Sequence, residues 1–251
     1  MEYIKSILGD LKNLGCSGIK ISFEDEGALL NEMITMRYLT ASLNLELSIK
    51  IGGCEAKRDI SESIDLCCDA IVAPMIESKF SLIKFNDSLI SYNYFNKKGF
   101  NFETINAYNN INSISTEFTK YNFVTFGRVD FVKSLDKNRE YVDSDEIYNI
   151  VKDTFTIAKK NNVQCYLGGA ISINSYKFIY NLSQLNLIDK FETRYVIFDI
   201  SKIKFEEYNK LLYTANLFEI EWLKYIRNKY LVSANKDTGR IKMMEERISF
   251  I

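Results

Sequence analysis

Short apolar runs alternate along the chain with segments whose apolar residues recur every three to four positions. The first pattern predicts buried β-strands and the second predicts amphipathic helices. Strands are predicted over residues 18–23, 45–51, 69–74, 100–102, 123–126, 163–167 and 193–198. Helices are predicted over residues 2–14, 29–43, 55–66, 77–85, 105–120, 145–160, 175–185 and 205–230. Residues 88–95 fit either an extra strand or a connection, residues 134–144 a polar loop, and the residues after 230 a polar tail.

Regular alternation of strands with helices predicts a parallel sheet with crossover helices. About seven or eight such units in 251 residues favour a closed (β/α)8 barrel of the TIM type over an open sheet. Its first strand is expected to be irregular or missing, because residues 1–14 have a helical pattern. We expect residues 1–203 to form the α/β barrel. Residues 204–251 are expected to form a C-terminal helix and tail that pack on the barrel or on a neighbouring subunit.

The chain contains no histidine. This excludes Ser-His-Asp and Cys-His nucleophiles and histidine-bound zinc. Acid–base chemistry must therefore come from carboxylates, lysine, tyrosine, cysteine or metal-bound water.

The overall charge gives no reason to expect nucleic acid or a membrane as a partner. Lys and Arg number 32 against 33 Asp and Glu, and no apolar run reaches the length of a membrane span. The N-terminus lacks a signal-peptide pattern, and the five cysteines are odd in number with no CxxC pair. We expect a cytoplasmic protein with reduced thiols.

Two apolar runs in the stretch from Gly99 to Asp130 each lead to a carboxylate. Phe100 and Phe102 precede Glu103, and the run that begins at Phe123 leads to Asp130. Carboxyl ends of parallel strands meet at one end of a barrel, where active sites lie. Two hard oxygen ligands there suit Mg²⁺ or Mn²⁺. The alternative is that both acids are helix caps or first-turn acids.

Five short motifs, in order and each at a predicted strand end, resemble those of the HpcH/HpaI aldolase and citrate lyase β-subunit family, which belongs to the phosphoenolpyruvate/pyruvate barrel superfamily. They lie at residues 21–25 (Ile-Ser-Phe-Glu-Asp), 49–53 (Ile-Lys-Ile-Gly-Gly), 72–78 (Val-Ala-Pro-Met-Ile-Glu-Ser), 102–107 (Phe-Glu-Thr-Ile-Asn-Ala) and 127–130 (Gly-Arg-Val-Asp). The first resembles the family's second strand, and the fourth resembles its Ile-Glu-Thr-x-x-Ala. The resemblance covers about residues 18–198.

The resemblance implies a Mg²⁺ or Mn²⁺ ion held by the acids that match the family's ligands, Glu103 and Asp130. It also implies that the metal chelates a 2-oxo acid or its enolate while a carbon–carbon bond is made or broken. A divalent ion is a Lewis acid that stabilises a developing enolate oxygen. The expected partner is therefore a small carboxylate substrate. The family's C-terminal helices pack on or exchange with a neighbouring subunit, so a homo-oligomer is expected.

Three positions depart from the family pattern. Lys50 stands in place of an arginine; it is able to meet a substrate carboxylate or phosphate, although not as a bidentate fork. Asp25 stands where the pyruvate aldolases have histidine, so the base is expected to be a carboxylate or a metal-bound water. Arg128 replaces the proline of Gly-Pro-x-Asp, and it either binds a further anion or points away from the site.

Further positions complete the candidate site. Glu24 and Glu26 either orient a ligand or Lys50, or they belong to a polar cluster that faces water. Gly168 and Gly169 follow a strand and either cradle an anion through backbone N–H groups or form a tight turn. The two remaining positions are Gly127 and Thr104; Thr104 either shapes the metal pocket or caps the following helix.

The sequence thus predicts a metal-dependent lyase or aldolase that acts on a 2-oxo acid or related carboxylate. Lys50, Asp25 and Glu24 are its candidate catalytic residues, and Lys50 also belongs to the substrate-binding set. Two alternatives stay open. One is an enzyme on the same barrel that uses phosphoenolpyruvate or cleaves a phosphorus–carbon bond, and the other is a barrel that binds a metabolite or partner protein without turnover. Fold does not decide among the three.

Overall fold

A computed structural model describes residues 1–249 of the chain and contains eight strands and ten α-helices within that range. The strands are β1 (Cys16–Ser22), β2 (Glu46–Lys50), β3 (Ala70–Ala73), β4 (Lys97–Phe102), β5 (Phe123–Gly127), β6 (Gln164–Gly168), β7 (Lys190–Glu192) and β8 (Val196–Asp199). The helices are α1 (Glu2–Asn13), α2 (Leu30–Ser42), α3 (Lys57–Asp65), α4 (Lys79–Ser91), α5 (Ile105–Asn109), α6 (Ile111–Ile114), α7 (Arg128–Ser134), α8 (Asp145–Lys160), α9 (Tyr176–Gln184) and α10 (Tyr208–Ile248).

The strands close into one barrel in sequence order, which confirms the predicted fold. Strands β1 to β7 are parallel, whereas β8 is antiparallel to both β7 and β1. Only residues 193–195 connect β7 to β8, and the N–H of Thr193 donates to the carbonyl of Val196 at 3.0 Å. A parallel crossover needs a dozen or more residues, so this short turn makes a hairpin instead.

Several predicted element boundaries were wrong. The predicted last strand, 193–198, begins as the hairpin turn, and β7 before it was missed. Residues 88–95 are not a strand, since α4 continues to Ser91. The predicted helix 105–120 is broken into α5, α6 and a 3₁₀ turn, and the loop 134–144 contains a further 3₁₀ turn. No strand is missing from the barrel, because β8 pairs with β1 and closes it.

Strand side chains divide between the two surfaces of the barrel with period two. On β1, the apolar Ile19 and Ile21 alternate with Lys20, and on β2 the same alternation surrounds Lys50. The apolar set belongs to the large core shared with the helices. The alternate positions place polar and charged side chains inside the barrel.

Part of the barrel interior is apolar and separate from the main core. It consists of Ala70, Val72, Phe123 and Tyr166. The rings of Phe123 and Tyr166 are stacked, with centroids 4.4 Å apart. Phe123 lies beside Gly99 on β4, and a Cβ at Gly99 would be 2.2 Å from the Phe123 ring. Gly99 is therefore needed to make room for this ring.

Helix α10 packs its first half against α1, burying Leu211, Phe218 and Trp222 among others. Residues 230–249 are exposed, and the predicted polar tail is helical as far as Ile248. In the described range, no helix combines the length and apolar character needed to span a membrane.

The variant Gly99→Ala tests the packing inside the barrel. We expect it to lose about 1–3 kcal/mol of unfolding free energy, because the added methyl overlaps the Phe123 ring. The measurement is the urea unfolding midpoint. The matched control is Gly9→Ala in α1, where nothing lies within 4 Å of an added Cβ; it should gain about 0.5–1 kcal/mol. Equal midpoints for the two variants would contradict this packing.

Candidate active site

A cavity of about 370 Å³ opens at the carboxyl ends of the strands. Its wall is mostly polar and includes side chains from β1, β2, β4, β7 and α10. Of the predicted site residues, the cavity wall contains Asp25, Lys50, Glu103, Gly127, Asp130, Gly168 and Gly169. The structure thus brings together seven positions that are up to 144 residues apart in sequence, from Asp25 to Gly169.

Glu103 follows β4 directly and is 3% exposed. Its Oε1 accepts a hydrogen bond from the N–H of Met75 at 2.9 Å, and its Oε2 accepts one from Asn101 Nδ2 at 3.0 Å. A Cβ on Gly127 would be 2.5 Å from Glu103 Oε2. Gly127 therefore allows β5 to approach this carboxylate closely.

Asp130 lies in the first turn of α7 and is half-buried. Burial raises the pKa of Glu103, and the negative charge of Asp130 adds to that effect, whereas the Met75 N–H and Lys50 oppose it. The two carboxylates are thus close enough to interact. Asp130 also agrees with the alternative that it is a first-turn acid of a helix, because it lies near the positive end of the α7 dipole.

The donor set fits a hard divalent cation. Two neighbouring carboxylates with like charge in a cavity gain stability from a cation between them. Within residues 1–249, no group of three or more acidic, cysteine or histidine side chains is arranged to hold a metal. Mg²⁺ is commonly bound by one or two carboxylates and keeps several waters, so the two acids Glu103 and Asp130 would be enough to hold it.

Lys50 is 7% exposed, and its ammonium group forms an ion pair with the carboxylate of Asp25. Burial raises the pKa of Asp25, but the hydrogen bond and charge of Lys50 outweigh it, so the pKa lies below the usual value. Asp25 is therefore a paired anion and a weak base in this state.

A second buried ion pair, which sequence reasoning missed, joins Lys20 Nζ to Glu192 Oε1 at 2.5 Å. Both residues line the cavity. Burial lowers the pKa of Lys20, but Glu192 outweighs it, and the net direction is upward. The sequence did contain a signal for Lys20, because it stands between Ile19 and Ile21 as Lys50 stands between two isoleucines.

The structure places Arg128 away from the cavity wall. Its guanidinium is fully buried and donates to the carbonyls of Gly168 and Gly169 at 3.3 and 2.8 Å. It also donates to Asp143 Oδ1 at 2.5 Å and Ser175 Oγ at 3.2 Å. These contacts occupy the guanidinium of Arg128, which the sequence left as either an anion-binding group or one that points away from the site. They also connect the β6–α9 loop to α7.

Thr104 and Glu24 also lie outside the cavity wall. Thr104 is the N-cap of α5, and its side chain accepts from the N–H of Ala107 at 3.1 Å. Glu24 is exposed and lies over Gly52, where a Cβ would be 2.8 Å from its Cγ. Thr104 thus caps the following helix and Glu24 faces water, which are the structural alternatives that the sequence left open for them.

Glu26, which the sequence left as either an orienting residue or part of a water-facing cluster, lines the cavity. Other polar wall residues were not among the predicted site residues, and they include Asn101, Arg139, Arg194 and Glu219. Arg139 lies in the 3₁₀ turn after α7, and Arg194 lies in the β7–β8 hairpin. Loop residues of this kind follow no hydrophobic period, so only motif or fold information could have indicated them.

A larger cavity of about 800 Å³ lies at the opposite end of the barrel. Lys97 and Lys190 in its wall both pair with the carboxylate of Glu46. We place the site at the carboxyl ends because catalytic residues of such barrels come from those strand ends and their loops.

The variant Arg128→Met tests the role of the buried guanidinium. Removing it leaves Asp143 and two carbonyls without their donor, so we expect a loss of about 3 kcal/mol in unfolding free energy. Urea unfolding would measure it, with Arg227→Met on the exposed side of α10 as the control. A midpoint equal to that of the control would contradict the structural role.

No protein-family model matches the chain, and no curated protein does. Solved structures do match. The citrate synthase SbnG has a TM-score of 0.62 at 11% identity, with 88% of this chain and 89% of that chain covered. An HpcH/HpaI aldolase/citrate lyase family protein from Burkholderia cenocepacia J2315 has a TM-score of 0.61 at 12% identity, covering 75% and 83%.

The HpcH/HpaI aldolase from Desulfitobacterium hafniense DCB-2 has a TM-score of 0.58 at 10% identity, with 72% of this chain and 79% of that chain covered. At these identities the likeness concerns the fold. This agrees with the family resemblance seen in the strand-end motifs. The chain has the fold of the HpcH/HpaI aldolase and citrate lyase family proteins.

Proposed function

We propose that the protein is a divalent-metal-dependent carbon–carbon lyase or aldolase that acts through the enolate of a 2-oxo acid or related carboxylate. The observation that carries this proposal is the pair Glu103 and Asp130 at the carboxyl ends of the strands. Glu103 is almost fully buried beside a second acid, in the same cavity as Lys50. The likeness in fold to aldolases and a citrate synthase supports the reaction class.

Glu103 and Asp130 would hold Mg²⁺ or Mn²⁺. The ion would supply a Lewis acid for the oxygen that becomes negative when the enolate forms. The Met75 N–H and Asn101 fix the Glu103 carboxylate in one orientation before any ligand binds. Such preorganisation costs no rearrangement during the reaction.

Two arginines at the cavity mouth offer contacts to an anionic substrate, whereas the two lysines inside the barrel are paired with acids. Lys20 and Lys50 lie inside the barrel, and Arg139 and Arg194 lie among the loops at its mouth. Within residues 1–249, Arg139 has no carboxylate within 4 Å. It is the group best placed to meet a carboxylate that enters from solvent.

The phosphate-based alternative rested on Lys50 and Arg128 as phosphate ligands. Because Arg128 is buried in contacts with Asp143 and two carbonyls, that alternative loses half of its proposed binding set. A non-catalytic barrel has no need of an open metal site at the buried Glu103 and the half-buried Asp130. Measuring the binding of a metal ion and of an enolate analogue therefore distinguishes the lyase proposal from both alternatives.

Calorimetric titration with Mg²⁺ or Mn²⁺, then with oxalate, tests the proposal. Oxalate has the shape and charge of the pyruvate enolate. We expect oxalate to bind the wild type only when metal is present. Glu103→Gln and Asp130→Asn should each weaken metal binding by at least tenfold, because each removes one of two anionic ligands. The control Asp237→Asn, on the exposed end of α10, should bind as the wild type does.

Phosphoenolpyruvate and inorganic phosphate serve as competing probes in the same titration. Tight phosphate binding without oxalate binding would favour the phosphate-based alternative. A wild type that binds neither metal nor oxalate would contradict the lyase proposal and leave the non-catalytic barrel.

We further propose that a second copy of the chain covers the exposed end of α10. Large apolar side chains are exposed there, namely Leu231, Val232, Ile241, Met243, Met244 and Ile248. Light scattering after size exclusion should give a homo-oligomer for the full chain and a smaller species after truncation at residue 229. A full chain that is monomeric at micromolar concentration would contradict this proposal.

A further inference from the structure

Glu26 lies between two cavities. It lines the active-site cavity at the strand ends and also an adjoining groove of about 350 Å³ beneath α10. The groove is mostly apolar, with Ile21, Trp222 and Ile226 among its walls. Glu26 thus places a carboxyl group between a polar cavity and an apolar one.

The Glu26 side chain is only 6% exposed, and its Oε2 has no hydrogen-bond partner among the described residues. Its Oε1 lies 3.5 Å from Nε of Arg194, a loop residue whose side chain is 52% exposed. A buried polar atom without a partner is costly, and such atoms are uncommon in proteins. This oxygen is free to accept or donate a proton.

Apart from Asp130 of the proposed metal site and the partly exposed Glu219 of α10, the other acids that line the cavity are engaged. Asp25 is paired with Lys50, and Glu192 is paired with Lys20. Glu103 accepts two hydrogen bonds and belongs to the proposed metal site. Since the chain has no histidine, a proton-transfer group has to be found among such side chains.

We propose that Glu26 is the acid–base residue of this site and exchanges the C3 proton of the bound 2-oxo acid. This inference rests on the proposed function. Its carboxylate takes a proton from C3, the C3–H electron pair becomes the C2=C3 double bond, and the C2 carbonyl electrons move to oxygen. In the reverse step the Glu26 carboxylic acid returns a proton to C3, the double bond supplies the electron pair, and the carbonyl reforms.

The charges around Glu26 favour a carboxyl that takes up a proton more readily than an exposed glutamate does. Burial raises its pKa, the charge of Lys20 lowers it, and the charge of Asp25 raises it again, with a net upward direction. A raised pKa makes its carboxylate a stronger base. The charged and titratable neighbours that act on Glu26 are Lys20 of β1, Asp25 of the following loop, Lys50 of β2, and Arg194 and Tyr195 of the hairpin. Glu32 of α2 and Glu219 and Tyr230 of α10 line the two cavities that Glu26 borders.

Lys20 connects this carboxyl with the proposed metal site. The charges of Glu26 and Glu103 both act on its ammonium group. A substrate held beside Glu103 would therefore lie in the same cavity as Glu26, and Lys20 would stabilise negative charge between them.

The test is the exchange of pyruvate methyl protons in D₂O, followed by proton NMR with the Mg²⁺-loaded protein. It needs no knowledge of the second substrate. We expect the wild type to exchange, and Glu26→Gln to exchange at least 100-fold more slowly, because general acid–base groups contribute about 10²–10⁴-fold. The control Glu206→Gln, an exposed acid outside the cavity, should exchange as the wild type does.

Oxalate titration of the same proteins separates the possible roles of Glu26. Oxalate has no proton to exchange, so Glu26→Gln should bind it within about twofold of the wild type. Glu26→Asp should recover part of the exchange rate with a shifted pH profile, which a merely structural residue would not give. Loss of both exchange and oxalate binding in Glu26→Gln would assign Glu26 to binding and overturn this inference.

The two proposals fail in different ways. If the wild type binds oxalate with metal but Glu26→Gln exchanges as fast as the wild type, Glu26 is not the acid–base residue and the proposed function stands. A wild type that binds oxalate but exchanges no methyl protons would also overturn the role of Glu26. A wild type without metal-dependent oxalate binding overturns the proposed function itself.

Discussion

The structure depends on pairing the charges that the barrel encloses. An eight-stranded barrel has an interior just wide enough to be filled by side chains, and here many of those side chains are polar. Lys20 and Glu192 form a buried ion pair, and Lys50 pairs with Asp25. Removing Glu192 would leave the Lys20 charge buried and unpaired, at a cost of about 3–5 kcal/mol. The apolar side chains therefore lie mainly between strands and helices, and the stacked pair Phe123 and Tyr166 fills part of the interior.

This pairing leaves Glu103, Asp130, Glu26 and the partly exposed Glu219 of α10 as the cavity acids without a lysine partner. Glu103 and Asp130 are close enough to repel each other, and Glu26 has an oxygen without any partner. A divalent ion would offset the repulsion between the first two acids, and a proton would satisfy the free oxygen of Glu26. In the mechanism that we propose, metal binding and proton transfer therefore use different acids of one cavity, and neither needs a histidine.

Much of this arrangement could be predicted from the sequence, since it follows from period-two alternation and strand order. Glu103, Asp130, Lys50 and Asp25 were all placed at strand ends, and all line the cavity. Arg128 was harder, because it is the first residue of α7 and the strand period ends at Gly127. Which way its side chain points is decided by Asp143 and the loop carbonyls, which come from distant parts of the chain.

Strand β7 was missed for a related reason. Two of its three residues, Lys190 and Glu192, are charged, so no apolar run indicates a strand. Their polarity is required inside the barrel, where Lys190 pairs with Glu46 and Glu192 with Lys20. The antiparallel closure by β8 depends on that strand and on a three-residue turn, and only the assembled barrel reveals both.

The central claim is that Glu103 and Asp130 hold a divalent cation inside this barrel. The most direct measurement is the anomalous scattering of Mn²⁺ in crystals of the protein grown or soaked with that ion. The account predicts a single strong anomalous peak between the two carboxylates, with both acids as ligands. A peak that engages neither acid, or no peak in the cavity at saturating Mn²⁺, would contradict it.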